Sequence, residues 1–203
     1  MSRIDRRTPG RGDERRAALL EALDDLLREA PSLESINVAE VSRRAGVTRS
    51  AFYFYFESKA MAVMALLEEM YLDAAAETDR LVEARGEPQP RIHQVISHLF
   101  DMVDRRPYAY RVLLEARATS ATLRENWDQG RAGFAQLIAT MITSERQAGK
   151  APDGADADAL ASVLLELNDH SIERYALGHG PSRADHIDAL TSIWVRSIYG
   201  GDR

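Results

Sequence analysis

The sequence predicts an all-α fold of about nine helices, and three observations carry that prediction. Apolar residues recur at three- and four-residue steps through nearly the whole length. Proline and glycine are scarce between residues 13 and 84, where they occur as Pro31 and Gly46. No run shows the two-residue alternation of a half-buried strand, and there is no internal repeat or low-complexity segment.

The elements follow in order. Residues 1–12 read as a basic arm, disordered on its own. Within residues 1–16 there are six arginines and three acids, a balance useful near phosphates but equally that of a merely soluble tail. From Asp13 to Glu29, a stripe of Ala17, Leu20, Leu23, Leu27 and Ala30 marks a first amphipathic helix, which Pro31 ends. Two short helices around a tight turn come next. Gly46 supplies the left-handed backbone that leaves the first of them, and Thr48 caps the second. Val41, Ala45, Val47, Phe52 and Phe56 have the spacing to share one buried face. Ser58 then caps a fourth helix running through Met61, Met64, Leu67, Tyr71 and Leu81 to about Ala84.

Gly86-Glu87-Pro88-Gln89-Pro90 reads as a break. A helix from Arg91 carries Ile92, Ile96, Leu99 and Val103, and Arg106-Pro107 closes it. Tyr108 to Ala116 reads as a short helix and Ala121 to about Gly149 as a long one, bearing Trp127, Phe134, Ile138 and Met141. After a loop at 149–154, helices over 156–177 and 182–199 are separated by Gly178-His179-Gly180-Pro181. The expected division is an arm over 1–12, a three-helix head over 13–60, and a larger domain over 61–203.

At 203 residues the chain can bury a core without disulfide or metal staples. The absence of cysteine fits a reducing cytoplasm and excludes thiol chemistry and cysteine-based zinc sites. Charge interrupts every apolar stretch, so no membrane span is expected. The net charge is −6, but residues 1–60 hold 11 Lys/Arg against 10 Asp/Glu and the rest hold 15 against 22. The acidity thus lies outside the head.

Residues 38–59 are the most informative stretch. Outside the buried face they leave Arg43, Arg44, Thr48, Arg49, Ser50, Tyr53, Tyr55 and Lys59. This is what a helix-turn-helix offers a DNA major groove. Thr48, Arg49 and Ser50 stand where side chains approach base edges, and Arg49 has the fork to pair with guanine. Lys59, in the first turn of the next helix, is placed for a phosphate. Partial core packing is the alternative for both tyrosines, with Tyr53 the preferred DNA contact and Tyr55 equally suited to either role. Arg43 and Arg44 could be a solvated face, with Arg44 the preferred contact.

The run from Gly46 to Lys59 resembles the signature of the TetR family of bacterial transcription regulators: a Gly-Val turn, a tyrosine in the recognition helix, then Phe-x-Ser-Lys. Phe52-Tyr53-Phe54-Tyr55-Phe56, Ala116-Arg117-Ala118-Thr119-Ser120 and Ile193-Trp194-Val195-Arg196-Ser197-Ile198-Tyr199-Gly200 are similar to strings of its EthR subgroup. The resemblance implies a regulator of transcription, a repressor released from operator DNA by a small ligand. It implies a homodimer paired through its last two helices, and makes Tyr53 a phosphate anchor. It also aligns Asn168 with a ligand-facing amide.

In the larger domain, Leu99, Val103, Trp127, Phe134, Ile138, Leu164, Asn168 and Trp194 are the candidate ligand residues, suited to a largely apolar molecule. The same side chains could be ordinary core, and Asn168 a structural amide. The five histidines make no metal spacing, no nucleophile-and-base arrangement stands out, and no cofactor is called for. A helical enzyme or carrier without DNA binding, or a ligand-independent DNA-binding regulator, are the alternatives.

Overall fold

The computed structural model describes residues 10–29, 32–67 and 86–200. The expected stop at Pro31, most of the arm, and the fourth helix beyond residue 67 lie outside the described residues. The chain divides into two compact units, Met1–Glu68 and Glu69–Arg203, a boundary eight residues beyond the one expected at 60. Among the described residues there are nine helical segments and no strand.

In the first unit, α1 (Arg11–Glu29) packs on α2 (Val38–Arg44), and α2 on α3 (Arg49–Tyr55). α4 is described over 59–67. α1 starts two residues before the expected Asp13, whose carboxylate accepts from the Gly10 N–H at 3.0 Å. Its buried stripe is Leu19, Ala22, Leu23 and Leu27; Ala17 is exposed and Leu20 half-buried. Leu23 and Leu27 are buried as expected, and Leu19, four residues before Leu23, takes the place expected of Leu20; Ala30 lies outside the described residues.

The Asn37 side chain accepts from Ala39 N at 2.8 Å and starts α2. Gly46, at φ 67°, ends it, while Val47 N returns to the Ser42 carbonyl at 2.9 Å. Thr48 Oγ1 accepts from Ala51 N at 3.2 Å and starts α3. Val41, Phe52 and Phe56 are buried as expected, but Ala45 and Val47 only half. In α4 the buried residues are Ala62, Val63, Leu66 and Leu67, with Met61 and Met64 at the margin.

The second unit contains α5 (Pro88–Arg105), α6 (Pro107–Thr119), α7 (Ala121–Gln147), α8 (Ala157–Ala176) and α9 (Arg183–Tyr199). The expected break at 86–90 is shorter than the sequence suggests, because Pro88 opens α5. Proline fits the first turn, where its missing N–H has no acceptor to serve. Pro107 opens α6 in the same way. Side chains of Ser120, Asp156 and Ser182 cap α7, α8 and α9. α7 packs along α8 and α5 along α9, around a core including Ile96, Phe100, Ile142, Leu164 and Trp194. Phe100 takes the buried position expected of Leu99, which is half-buried. No described helix is long and apolar enough to cross a membrane.

Candidate nucleic-acid interface and ligand region

Successive helical residues turn by about 100°, and this sorts the side chains of α3. Phe52 is buried against the unit, with the Tyr53 and Phe56 rings 5.4 and 5.5 Å away. Arg49, Ser50 and Tyr53 are exposed on the opposite arc, with the Arg49 guanidinium 5.8 Å from the Tyr53 ring centre. That cation–π contact steadies the arginine without occupying its N–H donors. The Thr48 hydroxyl is held by its capping bond but can still donate outward.

Tyr55 lies apart from that arc. It is half-buried, and its hydroxyl stands beside Gly12 at the start of α1, 3.8 Å from where a Cβ would be. Arg16 of α1 lies over the neighbouring Phe56 ring at 5.6 Å. Tyr55 therefore joins α3 to α1, the packing alternative that the sequence left open.

Arg43 and Arg44 are both tied to Glu40. Arg43 donates to its two carboxylate oxygens at 2.8 and 2.6 Å, and Arg44 Nε donates at 3.0 Å. Arg44 also lies 4.0 Å from Glu29. The hydrogen bonds from Arg43, then Arg44, hold the Glu40 carboxyl down at about 2. A phosphate would have to compete with these carboxylates for either arginine.

Lys59 differs most from its expected role. Its ammonium donates to the backbone carbonyls of Leu33, Glu34 and Ile36 at 2.7, 3.2 and 2.9 Å. An ammonium has three protons, and each has an acceptor in the loop before α2. Lys59 ties that loop to the start of α4, so its donors do not face outward to a phosphate. The sequence could not reveal this, since the acceptors are backbone atoms 23 to 26 residues away.

In the second unit Val103, Ile138, Leu164, Asn168 and Trp194 are buried, and Leu99 and Phe134 half-buried. Asn168 Oδ1 accepts from the Trp194 indole N–H at 3.0 Å, so the carbonyl end of the amide serves the fold. Trp127 stands in a polar setting that its apolar stripe does not announce. Its indole N–H donates to Asp169 at 3.4 Å, the Arg117 guanidinium lies 4.8 Å over its ring, and Tyr110 meets it edge-on at 6.2 Å. Arg117 pairs with Glu173, and Arg131 lies 3.4 Å from Asp169. Burial pushes the Asp169 carboxyl above its ordinary range, against the pull of Arg131 and Trp127.

Elsewhere in this unit, a polar groove of about 740 Å³ runs between α5 and α9, lined by residues including His93, Asp188, Thr191 and Arg196. None of the eight candidate ligand residues lines it. Among the described residues no group of three acidic, histidine or cysteine side chains could hold a metal ion.

Comparison with known proteins agrees with this layout. Residues 32–69 match the model of bacterial regulatory proteins of the tetR family. Residues 92–200 match that of the C-terminal domain of the transcriptional regulator EthR. The HTH-type transcriptional regulator EthR of Mycolicibacterium smegmatis is 32% identical over 192 residues, covering 93% of this chain and 88% of the relative. Among solved structures, native NalD, the secondary repressor of the MexAB-OprM multidrug efflux pump in Pseudomonas aeruginosa, superposes with a TM-score of 0.71 at 18% identity. That match covers 93% of this chain and 98% of NalD. The transcriptional regulator FadR from Bacillus subtilis in complex with stearoyl-CoA gives 0.66 at 16% identity, covering 92% and 99%. The chain belongs to the TetR family of bacterial regulatory proteins, with a C-terminal domain of the EthR type, and is a DNA-binding transcriptional regulator rather than an enzyme.

Proposed function

We propose that the chain is a homodimeric, cytoplasmic repressor that a small, largely apolar ligand releases from its operator. The observation that carries the DNA half is the arc of α3. Arg49, Ser50 and Tyr53 point away from the core, on a helix fixed at its start by the Thr48 cap. In this reading Thr48, Arg49 and Ser50 approach base edges and Tyr53 a phosphate. Arg44 contributes only if DNA displaces its carboxylate partners, and Lys59 holds the loop before α2 in place.

The ligand half is supported by the stearoyl-CoA bound to FadR and by half-buried Leu99 and Phe134 beside a buried apolar set. The Asn168 amide, its carbonyl engaged by Trp194, is left with N–H groups to offer a ligand acceptor. Asp169, Arg117 and Arg131 give the Trp127 end a polar boundary. Release requires a ligand that prefers the subunit geometry with lower DNA affinity. The test is mass spectrometry of small molecules carried through native purification, followed by titration of the identified compound against the protein bound to DNA from upstream of its own gene. The compound should weaken DNA, and DNA should weaken the compound by the same factor. A compound that binds and leaves DNA affinity unchanged counts against release.

A further inference from the structure

Phe54 adds nothing to the buried core of the first unit. It is 82% exposed, the most exposed of the large apolar side chains described, on a helix whose other phenylalanine, Phe52, is fully buried. It stands four residues after Ser50, as Tyr53 does after Arg49. The 100° step therefore places these four side chains on one continuous outward arc. The Phe54 ring is also braced: it meets Tyr55 edge-on at 5.1 Å, and Tyr55 in turn rests beside Gly12 of α1. A braced ring loses little conformational freedom on binding.

We propose that Phe54 is a specificity-determining residue that reads the C5 methyl group of a thymine in the major groove. The occupant follows from continuity with the DNA-reading arc. A phenyl ring has no hydrogen bond to offer a base edge or a phosphate, and the thymine methyl is the apolar feature of the major groove. Phe54 lies about 6 Å along the helix from Ser50, so its thymine is a different base from the one that Ser50 addresses. The inference rests on the reading of α3 as the helix that enters the groove, and the experiment separates the two.

The full-length chain selects duplexes from a random pool, and each thymine of the selected duplex is then replaced by deoxyuridine, which removes only the methyl. Wild-type affinity should fall about fourfold at one thymine per half-site, the transfer value of one buried methyl. Phe54→Ala should bind thymine and uracil duplexes equally there, with an unchanged melting temperature and an unchanged dependence on Arg49. Phe54→Leu should retain part of the discrimination. Equal discrimination by wild type and Phe54→Ala, or none by wild type at any thymine, overturns the proposal. Failure of the wild type to select any duplex overturns the reading of α3 as well.

Discussion

Lys59 and Asp169 show how far a side chain's role depends on partners remote in sequence. Lys59→Ala removes a charged donor from three carbonyls, and we expect it to lower the stability of the protein by about 2 kcal/mol. Lys59→Arg should not rescue it, because a planar guanidinium cannot replace a compact ammonium at the meeting point of three acceptors. Denaturation of the three proteins checks this, and an unchanged midpoint for Lys59→Ala would contradict it. Asp169 gives a pH dependence of definite sign. Burial raises its carboxyl in the fold, so the unfolded chain releases this proton first, from about pH 4. The group's contribution to stability falls as pH rises through that range to the folded value, then stays constant. Asp169→Asn removes the penalty, so its melting temperature relative to wild type should rise between about pH 4 and pH 7. A relative melting temperature that falls over the same range would mean that Arg131 and Trp127 outweigh burial. Neither environment was legible in the sequence. Lys59 stood at a helix start that suggested a phosphate, and Trp127 in an apolar stripe, because periodicity sees only neighbours on the same helix.

At the level of elements, the boundaries readable in the sequence were those set by local backbone chemistry. Gly46 leaves α2 at positive φ and Thr48 caps α3, both within a few residues of the signal. The start of α5 was misread for a local reason too: Pro88 and Pro90 look like a break but are tolerated in a first helical turn. Leu23 and Leu27 of α1 were legible, but whether Leu19 or Leu20 completes their stripe depended on neighbouring helices, since both spacings are helical. The bond between α8 and α9 has a measurable consequence. Asn168→Leu leaves the buried Trp194 N–H without its acceptor and should cost about 1–3 kcal/mol. With Trp194→Phe already present there is no donor to strand, and the same substitution should cost less. A double-mutant cycle by denaturation measures the difference, and strict additivity of the two changes would show that the bond contributes nothing.

For the whole molecule, α8 and α9 bear on assembly. α8 buries Ala161, Leu164, Asn168 and Ile172, while Leu160, Val163 and Leu167 form a second stripe beside them, with Val163 60% exposed. Leu177, just after α8, and Ile193 of α9 are exposed as well. Apolar groups on a second face suit an isologous dimer. Val163→Asp combined with Ile193→Asp should convert a dimer into folded monomers in sedimentation at micromolar concentration, with loss of tight operator binding. A wild-type monomer, or a variant that stays dimeric, would place the interface elsewhere. Whether the outward arc of α3 reads DNA sequence is decided by comparing wild type and Arg49→Ala on a selected duplex and on each of its single base-pair changes, over a range of salt. Wild-type affinity should fall linearly with salt on logarithmic axes. Arg49→Ala should lose about 1–3 kcal/mol on the selected duplex and become indifferent at particular base pairs, while most non-specific binding remains. Identical base preferences in the two proteins would mean that Arg49 does not read the bases.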